Sequence, residues 1–288
     1  MTPHGPNPPP DQSSRADLFH ALHHRSTLLL LANAWDVASA VVVESAGATA
    51  VATTSAGVAW SLGVPDGDRL GRDRAVQLIA RVTEAVRVPV TADIESGFGA
   101  DSDGVAETVR AVAGAGAVGI NIEDVSQSDR GSLRPVAEQA ERLAAARSGA
   151  DAAGVRLYVN ARVDTYLRGV GDPQSRLAET LVRAAAYLEA GADGIFVPGV
   201  GDLPTIGQLV SGIAAPLNVL VGAGSPSVSE LSELGVRRVS LGSSVAAAAY
   251  AVAERATREL IEQGTYESVR GELDYDRLNR LVAPLSPG

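Results

Sequence analysis

Short apolar runs alternate along the chain with longer segments in which apolar residues recur at helical spacing. This alternation is typical of repeated strand–helix units. Eight runs are predicted to form strands. They are Leu28–Asn33, Ala48–Thr54, Val88–Ile94, Val118–Ile122, Leu157–Val163, Gly194–Val197, Leu217–Val221 and Arg238–Leu241.

Helices are predicted between these strands, and several of them are followed by Gly, which accepts the left-handed conformation that closes a helix. Examples are Arg72–Val86, Gly104–Ala113, Pro135–Ala153, Arg176–Ala190 and Val228–Leu234. Eight such units in 288 residues favour an α/β fold, a (β/α)8 barrel of the TIM type. A doubly wound open sheet is the alternative. It is weakened because no Gly-x-Gly-x-x-Gly follows the first strand.

The chain divides into three predicted parts. Residues 1–14 are Pro-rich and polar, lack the features of a signal peptide, and are predicted to be a disordered tail. Residues 15–264 would form the barrel, and residues 265–288 a helical extension. Two helical stretches follow the last strand: the Ala-rich Val245–Gln263 and a tail around Tyr266–Val282. This is more than a barrel needs, so the tail could cap the barrel or dock on a partner subunit.

Composition narrows the available chemistry. The chain has no Cys, all 24 basic residues are Arg, and its four His residues lie within the first 24 positions. Thiolate nucleophiles, Lys Schiff bases and Cys/His metal sites are therefore excluded. A net charge of −10 disfavours nucleic-acid binding, and no apolar run is long enough to span a membrane. We expect a cytoplasmic enzyme that relies on carboxylates, Arg, hydroxyls and the backbone.

Carboxylates follow two neighbouring predicted strands, in Thr91-Ala-Asp-Ile-Glu-Ser-Gly-Phe-Gly99 and Gly119-Ile-Asn-Ile-Glu-Asp124. Because side chains alternate along a strand, Asp93 and Glu95 point the same way. Asn121 and Glu123 do likewise on the neighbouring strand. Three carboxylates at one end of a sheet repel each other unless a cation lies between them, and a hard divalent ion fits best. Asp124 should point away and is expected to cap a loop or helix.

Arg162 lies within the apolar strand segment Asn160-Ala-Arg-Val-Asp164. It could pair structurally with Asp164, or it could present a planar fork to a substrate carboxylate or phosphate. Backbone N–H groups in the turn Ser55-Ala-Gly57 could cradle an anion. Asn218, near the start of the seventh strand, could line the barrel mouth.

The segments around Asp93, Glu123 and Arg162, together with Gly63-Val-Pro-Asp66, resemble the isocitrate lyase/phosphoenolpyruvate mutase superfamily. The similarity runs in matching order from about Leu30 to Gly264. It implies a (β/α)8 barrel with its eighth helix swapped between subunits of a homodimer or homotetramer. It also implies Mg²⁺, with Mn²⁺ as a possible substitute, and 2-oxo acid or enolate chemistry.

Residue roles follow from the same resemblance. Asp93 would contact Mg²⁺ directly, and Asp66, Glu95 and Glu123 would hold its waters. The backbone at Ser55 and Gly57, together with Arg162, would bind the carboxylate end of the substrate. Asn218 is assigned to substrate binding, and Arg162 and Glu123 are the predicted catalytic residues.

One segment departs from the family pattern. Isocitrate and methylisocitrate lyases carry a Lys-Arg/Lys-Cys-Gly-His loop after the Glu-Asp motif, where this chain has Val125-Ser-Gln-Ser-Asp-Arg-Gly-Ser-Leu133. Without that Cys, cleavage of isocitrate or methylisocitrate by the usual route is not expected. We therefore expect a Mg²⁺-dependent C–C lyase or decarboxylase acting on a small 2-oxo or 2-hydroxy acid through a metal-stabilised enolate. Phosphonate or phosphoenolpyruvate P–C chemistry, and a non-catalytic metal- and anion-binding barrel, are the alternatives.

Overall fold

A computed structural model describes residues 11–126, 131–271 and 273–283. Within them nine parallel strands form a nearly closed barrel, so the predicted TIM-type fold is confirmed. The strands are β1 (Leu29–Leu31), β2 (Asn33–Ala34), β3 (Val51–Thr53), β4 (Val90–Asp93), β5 (Gly119–Glu123), β6 (Tyr158–Arg162), β7 (Gly194–Val197), β8 (Leu217–Leu220) and β9 (Arg238–Ser240).

Each of the eight predicted strands is present, and the first is split in two. β1 pairs with β9, whereas β2, one residue further on, pairs with β3. The chain at Ala32 thus changes neighbours where the two edges of the sheet meet. The remaining strands pair in chain order, from β3 with β4 through β8 with β9.

The helices of the described residues surround the strands. They are α1 (Gln12–His24), α2 (Val37–Ser45), α3 (Ser55–Ser61), α4 (Arg72–Ala85), α5 (Ser102–Gly114), α6 (Val136–Ala152), α7 (Arg176–Glu189), α8 (Leu203–Gly212), α9 (Val228–Leu234), α10 (Ser244–Gln263) and α11 (Tyr275–Val282). In that part of the chain no helix is long and apolar enough to cross a membrane.

The chain ends differ in detail from the prediction. The first ten residues of the predicted tail lie outside the described residues, and α1 begins within the remainder, at Gln12. The Asp11 carboxylate caps this helix by accepting from the Ser14 N–H at 2.7 Å. The helical tail predicted around Tyr266–Val282 is two pieces, a 3-10 turn at Glu267–Val269 and then α11.

Alternation along the strands separates an apolar layer from a polar interior. In β5, Ile120 and Ile122 join the apolar core between sheet and helices. Asn121, between them, instead bonds to Asn160 of β6 and Arg238 of β9 across the barrel. The barrel interior is therefore polar, and the end at which the strands finish can hold charged side chains.

The opposite end of the barrel is closed by α1. Phe19 of α1 packs with Leu29, Val118 and Tyr158, which lie at or just before the start of their strands. His23 stacks on Tyr158 with ring centroids 3.8 Å apart. The described histidines of α1 therefore lie away from the strand ends, and the N-terminal segment does not bring His20 or His23 to the candidate site.

Candidate active site

A cavity of about 200 Å³ opens at the carboxyl ends of the strands. It is lined by Asn33, Thr54, Ser55, Ala56, Asp66, Asp93, Asn121, Arg162, Leu167, Phe196, Pro198, Leu220, Ser240, Gly242 and Ser243. This is the end at which barrel enzymes carry their active sites. Of the predicted site residues, Ser55, Asp66, Asp93 and Arg162 line it directly.

Asp93 is the last residue of β4. Its carboxylate accepts from the Ser55 hydroxyl at 3.2 Å and from the Glu95 N–H at 3.1 Å. Burial raises the pKa of Asp93, and Asp66 raises it further, while Arg162 lowers it. A carboxylate in this setting favours a cation at the cavity.

Glu95 lies in a strained loop. Its φ is +52°, and Phe98 has the same φ, although neither residue is Gly. The Glu95 carboxylate accepts from the Asp68 N–H, and the Asp68 carboxylate accepts from the Ser96 N–H at 3.3 Å. This reciprocal pair joins the loops that follow β3 and β4. Such backbone strain costs about 1–3 kcal/mol per residue and often marks functional sites.

The pKa of Glu95 is raised to about 8, chiefly by burial, with Asp68, Asp66 and Asp93 adding to the rise. Three neighbouring carboxylates thus act on Glu95. From behind, the Arg142 guanidinium of α6 donates to the carbonyl oxygens of Ser96 at 2.8 Å and Gly99 at 2.9 Å. Arg142 thus fixes the loop through backbone carbonyl oxygens rather than through the carboxylates.

Arg162, the last residue of β6, holds two carboxylates. It is bidentate to Asp164, at 2.6 and 2.9 Å, and its Nη1 is 2.9 Å from Glu123 Oε2. Burial opposes its charge, but Glu123 and Asp164 keep its pKa above the usual range. Burial raises the pKa of Glu123, and Arg162 offsets part of that rise. Arg162 therefore forms the structural pair with Asp164 and also lines the cavity.

Asp124 is completely buried, and its carboxylate does more than accept the loop N–H expected of a cap. Its carboxylate accepts from Tyr187 Oη at 2.8 Å, Arg183 Nη1 at 3.1 Å and the Asp164 N–H at 3.0 Å. It therefore helps to hold the residue that clamps Arg162. The distance in sequence to α7 hid these partners, since no local motif links them.

The remaining predicted residues fall outside the cavity lining. Gly57 lies in α3, where an added Cβ would come within 2.8 Å of Trp35 Cβ and 3.1 Å of Ala246 Cβ, so packing alone requires Gly. Asn218 is buried, and its Oδ1 accepts from the Ser240 hydroxyl at 3.4 Å. Glu95 and Glu123 are buried next to the lining residues Asp93 and Arg162. Of the predicted loop Val125–Leu133, residues 127–130 lie outside the described residues.

Two contributors, Asp68 and Arg142, were missed from sequence, and Asn121 was placed on the same face as Glu123 but given no role. Asp68 follows directly after Gly67, and positive φ at both residues marks a tight turn that the Gly-Asp pair could have signalled. Arg142 and the partners of Asn121 act over long sequence separations, for which the chain carries no local signal.

The donor set fits a magnesium ion. No group of three or more His, Asp or Glu side chains in the described ranges is arranged as an all-protein metal site. Mg²⁺ typically takes one or two carboxylates and keeps several waters. Asp93 and Asp66 on the cavity wall, with Glu95 and Glu123 behind them, would supply that environment.

Comparison with known proteins shows the family to which the chain belongs. The family model of phosphoenolpyruvate phosphomutase matches residues 19–261. The chain therefore belongs to the phosphoenolpyruvate phosphomutase family, within the isocitrate lyase/phosphoenolpyruvate mutase superfamily, and the resemblance seen in sequence is confirmed.

Relatives within the family carry different activities. An uncharacterized protein of Mycobacterium tuberculosis is 40% identical over 226 residues, 78% of this chain and 81% of that protein. Oxaloacetate decarboxylase of Ectopseudomonas mendocina is 32% identical over 213 residues, 70% and 67% of the two chains. 2-Methylisocitrate lyase of Escherichia coli is 29% identical over 255 residues, 83% and 84%. The crystal structure of a candidate lyase/mutase from Burkholderia cenocepacia matches with a TM-score of 0.87 and 38% identity, over 93% and 96% of the chains.

Proposed function

We propose that this protein is a Mg²⁺-dependent carbon–carbon lyase or decarboxylase acting on a small 2-oxo or 2-hydroxy carboxylic acid. The observation that carries the proposal is that Asp93, Asp66 and Arg162 line the same small cavity. The cavity, at about 200 Å³, is smaller than the roughly 300–1,000 Å³ of sites for drug-sized ligands. A compact acid of a few carbons suits that space.

Each group has a task in this reaction. Bound Mg²⁺ would act as a Lewis acid towards the oxygen on which negative charge develops. Asp93 would hold the ion, while Asp66, Glu95 and Glu123 orient its water shell. Arg162, fixed by Asp164, would bind a carboxylate of the substrate. The apolar side of the cavity, which includes Leu167, Phe196 and Pro198, would keep solvent from the reacting carbon.

The chain contains no Cys, so it lacks the acid that isocitrate and methylisocitrate lyases place in their loop. Decarboxylation needs no such side chain in the same loop, and oxaloacetate decarboxylase is among the relatives. We therefore favour a decarboxylase or a lyase of a malate-type acid over a usual isocitrate or methylisocitrate lyase.

The test is a substrate panel with the purified protein. We expect pyruvate or a related 2-oxo acid to form from at least one C4–C6 2-oxo or 2-hydroxy acid, with Mg²⁺ required and EDTA abolishing turnover. The substitution Asp93→Asn should lower kcat/KM by about a thousandfold or more, because several kcal/mol of charge stabilisation depend on the metal. Asp103→Asn, at an exposed position of α5, is the matched control.

Other outcomes separate the alternatives. A new phosphorus NMR signal from phosphonopyruvate or phosphoenolpyruvate, without turnover of the acids, would instead assign P–C chemistry. Binding of Mg²⁺ and oxalate without any turnover would assign a non-catalytic barrel. Equal activity of Asp93→Asn and wild type would refute the proposed site.

A further inference from the structure

Two hydrogen bonds fix the side-chain orientation of Asn121, a cavity residue. Its Oδ1 accepts from Asn160 Nδ2 at 2.9 Å and from Arg238 Nη2 at 3.0 Å. A guanidinium has only donors, so the amide oxygen of Asn121 must face Arg238. The amide nitrogen is therefore turned away from the barrel interior.

That nitrogen makes no hydrogen bond to another described residue. It is also not one of the fully buried atoms that lack a partner in that part of the chain, so it keeps some accessible surface. Asn121 lines the cavity although its residue surface is only 5% exposed. Because Oδ1 is held by Asn160 and Arg238, we infer that the accessible part of this lining side chain is its amide nitrogen, with two N–H donors. An acceptor atom placed in the cavity could therefore bond to this side chain.

Asn33, which also lines the cavity, provides a contrast. Its Oδ1 accepts from the N–H groups of Leu241 and Gly242, and its Nδ2 donates to the Thr53 carbonyl oxygen at 2.9 Å. The whole amide of Asn33 is used to join β2 to its neighbours. Asn33 is therefore structural, whereas half of the Asn121 amide remains available.

The position of Asn121 specifies the kind of ligand atom. Asn121 and Asp93 are paired residues in β5 and β4, so the donors lie next to the proposed metal-binding carboxylate. An oxygen of an anion bound at the metal could accept from this neutral donor, while Arg162, held by Glu123 and Asp164, binds another oxygen of the same anion.

Arg238 lies behind Asn121 and is 1% exposed. Burial lowers its pKa to about 10, so it remains charged at neutral pH. Its Nε and Nη1 have no partner within the described part of the chain, and its one hydrogen bond goes to Asn121. The Arg238 guanidinium also lies over the Phe19 ring, 5.9 Å from its centroid. A buried cation with a single hydrogen bond polarises the Asn121 amide and makes its N–H groups stronger donors.

We propose that Asn121 is a substrate-binding residue that donates from Nδ2 to an oxygen of the 2-oxo acid or its enolate, and that Arg238 is the positioning residue that fixes this orientation. The inference rests on the proposed function, since it takes the cavity to hold such an anion next to the metal. It adds a substrate contact to those assigned to Arg162 and to the backbone at Ser55 and Gly57.

The test is calorimetric titration with Mg²⁺ alone and then with oxalate in the presence of Mg²⁺. Asn121→Asp keeps an oxygen for Arg238 and Asn160 but removes the donors, so oxalate affinity should fall at least about tenfold to a hundredfold. Asn279→Asp, the same change at an exposed position of α11, should leave the affinity unchanged. Circular dichroism melting confirms that each variant is folded.

Arg238 is tested with a pair of variants of similar length. Arg238→Met should weaken oxalate binding by about tenfold, because the Asn121 amide is then free to turn. Arg238→Lys should restore most of the affinity, which a merely structural role does not predict. Wild type that binds oxalate with Mg²⁺ while Asn121→Asp binds it equally well would overturn this inference alone. Wild type that binds Mg²⁺ but no oxalate would overturn the proposed function together with the inference.

Discussion

At the scale of single residues, burial changes the chemistry of polar groups at both ends of the barrel. Beneath the barrel, His23 is 1% exposed, its Nδ1 bonds to the Phe19 carbonyl oxygen at 2.8 Å, and its Nε2 has no partner among the described residues. Burial, with the nearby Arg238 charge adding to it, lowers the pKa of His23 to about 2. The folded protein therefore holds this ring neutral.

This neutral ring predicts a loss of stability in mild acid. In the unfolded chain His23 titrates near pH 6.5, so below that pH the unfolded state binds a proton that the folded state refuses. The unfolding free energy should fall by about 2 kcal/mol between pH 7 and pH 5 on account of His23 alone. His20, whose pKa is also lowered by burial, acts in the same direction.

Urea unfolding at the two pH values measures this effect. His23→Phe, which keeps an aromatic ring against Tyr158, should show a drop between pH 7 and pH 5 that is smaller by about 2 kcal/mol. His24→Phe, at an exposed position, should behave as wild type. An unchanged drop in His23→Phe would show that the ring becomes protonated in the folded state.

At the scale of elements, close helix packing depends on Gly. A Cβ added at Gly149 of α6 would lie 2.6 Å from the Ala106 carbonyl oxygen of α5, a rigid backbone atom. We predict that Gly149→Ala destabilises the protein by about 1–3 kcal/mol, because the strain exceeds the gain in helix propensity.

Gly114, the last residue of α5, is the matched control, since its added Cβ would meet no atom within 4 Å. Gly114→Ala should be neutral or stabilising by up to about 1 kcal/mol. Chemical denaturation of both variants checks the pair. Equal stability of the two would mean that α5 and α6 can move apart at little cost.

Elements were also what the sequence predicted best. Strand and helix periods placed each barrel strand, and the same alternation brought Asp93, Glu123 and Arg162 to the carboxyl ends of neighbouring strands. The break at Ala32 was not predictable, because it arises from pairing with strands far along the chain. The same reason hid the links from Asp124 to α7 and from Asn121 to Arg238, which depend on contacts across the fold.

At the scale of the whole molecule, α10 is a long helix with little to cover it. Only Ala246 of its twenty residues is buried, whereas Tyr250, Leu260 and Ile261 are 43%, 59% and 76% exposed. Tyr250 and Ile261 are eleven residues apart, three helical turns, so they lie on one stripe. Trp60, itself 39% exposed, contacts the Tyr250 ring with centroids 6.4 Å apart. Apolar side chains exposed along such a stripe mark an interaction surface.

We expect this stripe to be covered by a second copy of the chain, in a homodimer or homotetramer of the kind that the family resemblance implies. Light scattering after size exclusion should give at least twice the chain mass at micromolar concentration. Ile261→Glu places a charge on the covered stripe and should shift the protein towards monomer, since an unpaired buried charge is costly. Arg255→Glu, exposed on another side of α10, introduces the same residue and should leave assembly intact. A wild-type monomer, or equal assembly of both variants, would show that α10 is not the interface. Ser240 and Ser243, which line the cavity, lie just before α10 in the chain. If the interface helps to hold that wall of the cavity, weaker assembly should also lower activity.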